Sequence, residues 1–343
     1  MKRAIALTLI TVGLLGLELF AQTPGQQQPP TGERGQRGQR GGRGEGRGAQ
    51  QPARGPQKLA WVDRTGKVLG TIGQPQATIL DPAISPDGKK VAVRGRDKQG
   101  DTEFVWIHDA TSKHRLTTNA DGSSERHVYW SPKGDRIAFS MQIPGGMVSN
   151  LYIRAADGSG SDQLLLGGEG VHKWCPTWSP DGKTIVYHNN DLTTMARDIM
   201  FVDLASKKPE YLVQTPATEA LPRFSMDGKF VAYQAQEEGG KFEVWVTTFP
   251  KSDKKWKVST NGGIWPRWDK DEIFFWEGNA MMAAKFTVRN GTFTVSAPQK
   301  LFTSGQVGMN EAAPNGYNFF YDYRDGKFVV VQQGPLLSTT PGQ

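Results

Sequence analysis

The sequence predicts an all-β protein, a six-bladed β-propeller of four-stranded antiparallel blades closed by N-terminal strands that complete the last blade. Three observations predict it. One hairpin pattern recurs along most of the chain, the recurrence has a nearly constant period, and apolar residues alternate on either side of each copy.

The clearest copy runs from Cys175 to Tyr187. Trp178 ends a short strand, and Ser179-Pro180-Asp181-Gly182 is a turn. Proline presets φ, aspartate bonds its own backbone, and glycine accepts positive φ. Ile185 and Tyr187 then open the return strand. Further copies stand at Ser85-Pro86-Asp87-Gly88, Ser131-Pro132-Lys133-Gly134 and Ser225-Met226-Asp227-Gly228. Weaker ones are Trp268-Asp269-Lys270-Asp271 and Tyr323-Arg324-Asp325-Gly326. Successive serine positions lie 46, 48, 46 and 44 residues apart, and the last step, to Tyr323, is 54. About 45 residues hold four short strands and their turns, which is one blade. Third strands are read at Phe104–Asp109, Leu151–Arg154, Ile199–Asp203, Phe242–Val246 and Met281–Ala284. Fourth strands are read at Arg115–Thr117, Gln163–Leu165, Tyr211–Val213, Lys257–Ser259 and Lys300–Phe302.

These hairpins resemble the WD40-like repeat of TolB-like propellers, above all those of soil bacteria that are exported or fused behind protein kinases. Leu59–Lys67 resembles the opening of such propellers. The resemblance covers residues 59–335 and implies a periplasmic or secreted chain that binds a protein or peptide in the cell envelope. Fold alone does not carry function, and the α/β domain that precedes the TolB propeller has no counterpart among these residues.

Taken in order, residues 1–21 read as an export signal. Lys2-Arg3 precedes an apolar run from Ala4 to Phe20, and Ala21 offers a cleavage point. An uncleaved membrane anchor is the alternative, and the only membrane contact expected. Residues 22–58 are rich in Gln, Pro, Arg and Gly and have almost nothing apolar to bury, so a disordered arm is expected. Residues 1–58 hold nine Lys and Arg against three Glu, so six of the seven net positive charges lie there. The propeller is nearly neutral, and no nucleic-acid partner is expected: the Arg-Gly arm has no interleaved aromatics for base stacking. Leu59–Asp63 and Lys67–Ile72 read as two strands that join the final hairpin, Tyr317–Val331, in the sixth blade. Residues 336–343 are a tail. A monomer is expected.

Candidate site residues are those just before each innermost strand, where a propeller's channel opens. They are Asp81; Glu125, Arg126 and His127; His172, Lys173 and Trp174; Glu219; Trp265; and Glu311. This mixture of charge and tryptophan suits a binding rim. His127 and His172, nearly one period apart, are the candidates for a metal site with Glu125 or Glu219. They stand at different offsets from the turn serine, four and seven residues, which argues against a common depth. Some polysaccharide lyases with similar repeats use a channel metal, so a channel-face lyase or hydrolase is the alternative to a non-catalytic binding module. No Gly-x-Ser-x-Gly elbow is present. Cys175 stands alone, which excludes an internal disulfide, and reads as a buried small side chain. The turn aspartates are spread around the ring and read as structural. Arg223 and Arg267 follow prolines at equivalent places and read as bridges between neighbouring blades or strands. No cofactor is expected.

Overall fold

The structure is a computed structural model that describes residues 55–118, 123–237, 239–309 and 319–335. Glu311, the expected export signal, most of the expected arm and the expected tail lie outside these residues. The rest is almost entirely β: six antiparallel sheets of four or five strands.

Blade 1 shows the plan. Its strands, from the channel outward, are Thr78–Ile84, Val91–Arg96, Phe104–His108 and Lys113–Arg115. The innermost strands of blades 2 to 5 are Ser124–Trp130, Val171–Trp178, Thr218–Phe224 and Ile264–Trp268. Tyr321–Arg324 takes that place in blade 6. Blade 5 departs from the expected four strands. Its third strand overruns to Ala280–Arg289 and pairs near its start with Gln299–Thr303 and near its end with Thr292–Val295.

The turns form as the residue types require. Ser85 Oγ donates to Asp87 and accepts from the Lys90 amide at 2.9 Å, which closes the turn through side chains. Ser179 with Asp181, and Ser225 with Asp227, repeat this arrangement. Blade 2 has Lys133 in the aspartate position. There Ser131 donates to Asp135 instead, at 2.7 Å.

Each of the first five innermost strands contains a bulge that the sequence does not announce. Asp81, His127, Cys175, Leu221 and Trp265 have φ of 53–60°, each four residues before the turn position. The ladder to the second strand slips at these points. A non-glycine residue holds this backbone only where surrounding packing fixes it, and all five are buried.

Closure is as expected. Gln57–Val62 pairs with Lys327–Gln332 from Lys58↔Gln332 to Val62↔Phe328, and with Val68–Gln76 on its other side. The N-terminal strands are therefore the outer half of blade 6. Leu59 and Ile72 are buried in one cluster with Val329 and Val331, and Val62 in another with Phe328 and Val330, and each such side chain contributes about 1.5–3 kcal/mol. A bidentate Arg64–Glu272 pair ties this hairpin to blade 5. Deleting residues 59–73 should lower the melting temperature sharply and broaden the circular-dichroism transition, because it strips the sheet from the last hairpin. An unchanged melt would contradict closure by these strands.

Candidate functional site

Six innermost strands converge on the channel, which has a bulge end and a turn end. The expected rim residues lie at the bulge end, but most do not reach solvent. The innermost strands begin earlier than the pattern suggests, at Thr78, Ser124, Val171, Thr218 and Ile264, and so carry these residues inside. Asp81, Glu125, His127, Lys173, Glu219 and Trp265 are buried, and Arg126, His172 and Trp174 are half-buried.

Their contacts are largely internal. Asp81 pairs with Arg94 at 3.0 Å and accepts from the amides of His127 and Phe319, so one carboxylate ties blades 1, 2 and 6. His172 Nδ1 accepts from the Ser149 amide at 2.9 Å. Lys173 Nζ donates to the Val171 carbonyl at 2.9 Å. The Trp265 amide donates to Gln234, and its carbonyl accepts from Tyr321. The Trp174 ring packs on His172 at 4.6 Å, His188 at 5.8 Å and His127 at 6.4 Å. It keeps the imidazoles among aromatic neighbours. Among the described residues, no three His, Cys, Asp or Glu side chains are gathered as a metal site. Burial depresses the His127 pKa to about 4 and the His188 pKa well below its ordinary value, so both rings are neutral near pH 7.

The open space is at the other end. A cavity of about 320 Å³ opens among the turns and draws residues from all six blades. Pro86, Pro132, Pro180, Met226 and Asp325 lie at its mouth. Trp130, Trp178, Phe224 and Trp268, each just before a turn, line its wall. Two of these indoles clasp the neighbouring blade: Trp130 donates to the Ala83 carbonyl and Trp268 to the Arg223 carbonyl, both at 2.9 Å. Two residues before the turn position come Ala83, Tyr129, Thr177, Arg223 and Arg267, which form the deep part of the cavity.

The arginines do bridge blades. Arg223 donates to Tyr129 and Thr177, in blades 2 and 3. Arg267 donates to Asp322 at 2.6 Å and to the Tyr321 carbonyl, in blade 6. Asp322 also accepts from the Ile84 amide and so joins blade 1 to the same cluster. Burial works against the Arg267 charge, but Asp322, Tyr321 and Tyr129 outweigh it and raise its pKa. Phe319, fully buried, lies beneath both guanidiniums and stacks on Tyr129 and His127. The channel is thus filled below the cavity. Sequence reasoning singled out both arginines but not the cavity. Its signal was the aromatic residue that recurs immediately before the turn.

No protein-family model matches the chain. The Tol-Pal system protein TolB of Francisella tularensis subsp. tularensis (strain WY96-3418) is 27% identical over 171 residues, 49% of this chain and 38% of that protein. An uncharacterized peptidase, YuxL, of Bacillus subtilis (strain 168) is 28% identical over 113 residues, 32% of this chain and 17% of that protein. The chain spans less than two fifths of the length of these curated relatives. A solved structure assigned as TolB from Agrobacterium tumefaciens superposes with a TM-score of 0.57 at 19% identity, covering 82% of this chain and 99% of that one. The class is the six-bladed β-propeller with a cavity at one mouth of its channel. Within that class the chain is a TolB-like propeller.

Glu219 gives the bulge end a measurable signature. Burial, opposed by a hydrogen bond from Thr215, raises its pKa from 4.5 to about 7. The folded chain therefore binds this proton more tightly than the unfolded chain. Glu219 costs stability as pH climbs from about 4.5 through about 7, and the full cost is present above that. In Glu219→Gln the cost is absent. The variant's melting temperature relative to wild type should rise by several degrees between about pH 5 and about pH 8. A difference that does not change with pH would contradict the buried, protonated carboxyl.

Proposed function

We propose that the chain is an exported, non-catalytic binding module that holds a protein or peptide of the cell envelope in the turn-end cavity. One observation carries this reading. The cavity collects its aromatic wall and polar floor from the six blades together, whereas at the bulge end Asp81, His172 and Lys173 are held in internal contacts. A concave apolar wall with a few converging polar groups is the usual form of a binding site. Tryptophan, tyrosine and arginine are the residues that anchor protein interfaces. The likeness to Tol-Pal system proteins supports a protein partner in the envelope, and the basic-then-apolar pattern of residues 1–21 supports export. The chain acts as a monomer, its Arg-Gly arm serving as a spacer.

The likeness to YuxL favours a second reading, hydrolysis of a peptide or other polymer. The cavity supports it poorly. Its lining serines, Ser131 and Ser225, donate their hydroxyls to Asp135 and Asp227, and no histidine is among the described lining residues. A serine nucleophile needs a base within reach.

Affinity capture from solubilised envelope with the full chain, read by mass spectrometry, tests the proposal. Met226 is 54% exposed at the cavity mouth, so Met226→Glu leaves the core intact. Wild type should retain one reproducible protein partner, Met226→Glu should lose it, and His172→Ala, altered at the bulge end, should keep it. Loss with His172→Ala and retention with Met226→Glu would move the site to the other mouth.

A further inference from the structure

The cavity floor holds a positive charge that the protein does not neutralise. Arg223 is 6% exposed and lines the cavity. Nη1 donates to Thr177 Oγ1 and the Pro222 carbonyl, both at 2.9 Å, and Nη2 donates to the Tyr129 hydroxyl. All three acceptors are neutral. The guanidinium lies over the Tyr129 ring at 4.2 Å and near the Phe319 ring at 5.4 Å. Among the described residues no carboxylate forms an ion pair with it, whereas its neighbour Arg267 has Asp322 at 2.6 Å. Asp322 is committed on both oxygens, to Arg267 and to the Ile84 amide. A guanidinium carries five N–H groups. Nε–H and one Nη2–H of Arg223 remain outside these bonds.

A buried charge without a counter-charge is costly. Burial, followed by the repulsion of Arg267, presses the Arg223 pKa below its ordinary value. An incoming anion relieves both effects. The floor has one unmatched positive charge, which suits a monoanion. At the rim, Asp269 and Asp325 oppose the second charge of a phosphate. Two carboxylate oxygens match the guanidinium fork. Trp130, Trp178, Phe224 and Trp268 offer an apolar wall to whatever carries the carboxylate, and about 320 Å³ is at the small end for a ligand site.

We infer that Arg223 makes the turn-end cavity a carboxylate receptor, which takes an acidic side chain or a free C-terminus of a peptide beside an apolar residue. This rests on the reading of that cavity as the peptide-binding mouth. The positive charge selects the anion, and the aromatic wall holds the neighbouring apolar group.

Random-sequence peptide pools passed over the immobilised full chain test it. One pool contains Asp and Glu and has amidated C-termini. A second lacks acidic residues and has free C-termini. A third lacks both kinds of carboxylate. At least one of the first two should be retained about ten- to a hundredfold over the third, and which one identifies the source of the carboxylate. Arg223→Met, checked by its melting temperature, should lose that preference. If this variant does not fold, competition on the wild type decides: indole-3-propionate should displace the retained peptides and its neutral amide should not. Equal retention of all three pools, or a preference independent of Arg223, overturns the carboxylate assignment and leaves the cavity as a peptide site. Retention of none overturns the assignment too, while the envelope capture with Met226→Glu tests the binding module separately.

Discussion

A ring of sheets is free of open edges only if its first and last blades share hydrogen bonds, and that constraint governs the rest of this molecule. The ladder between Gln57–Val62 and Lys327–Gln332 meets it. Strands from opposite ends of the described chain then belong to one sheet, and no blade can drift outward without breaking it. With the ring held, six innermost strands are brought together at the axis. Side chains that would be solvated on an open sheet lose their water there, and buried polar groups require partners. Much of the channel chemistry follows from this crowding. Asp81 gathers donors from three blades, and Asp322 holds Arg267 and an amide of blade 1.

The two mouths of the channel respond differently. At the bulge end, backbone with positive φ at Asp81, His127, Cys175, Leu221 and Trp265 lets the innermost strands continue past the expected rim. That end closes over itself, with neutral histidines around Trp174 and a carboxyl at Glu219 whose proton is held up to about pH 7. At the turn end, large aromatics stand just inside rigid turns and hold the mouth apart. Trp130 and Trp268 each donate to the preceding blade, so the wall of the cavity also clasps the ring. Cavity wall and blade-to-blade clasp are built from the same residues.

How much of this was legible in the sequence follows from how local each feature is. The Ser-Pro-Asp-Gly turns were legible because a few residues determine their own backbone. Even blade 2, with Lys133 in place of aspartate, keeps the turn through Asp135. The closing strands were legible from the two strands that the last hairpin lacks. The bulges were not, because Asp, His, Cys, Leu and Trp share no property that selects positive φ; packing around the ring imposes it. For the same reason the described rim residues were read as lying before the strands when they lie within them. The extra hairpin of blade 5 was hidden because Thr292–Val295 falls between two strands that already satisfied the period. Arg223 and Arg267 were correctly read as bridges, but their shared position above Phe319 depends on blades far apart in sequence.

The central claim is that the turn end of the channel meets the partner. Site-specific photo-crosslinking in cells tests it most directly, with a benzophenone side chain placed at Met226 in one variant and at His172 in another. The account predicts a discrete protein adduct from position 226 and none from position 172. An adduct from position 172 alone would contradict it and place the binding face at the bulge end.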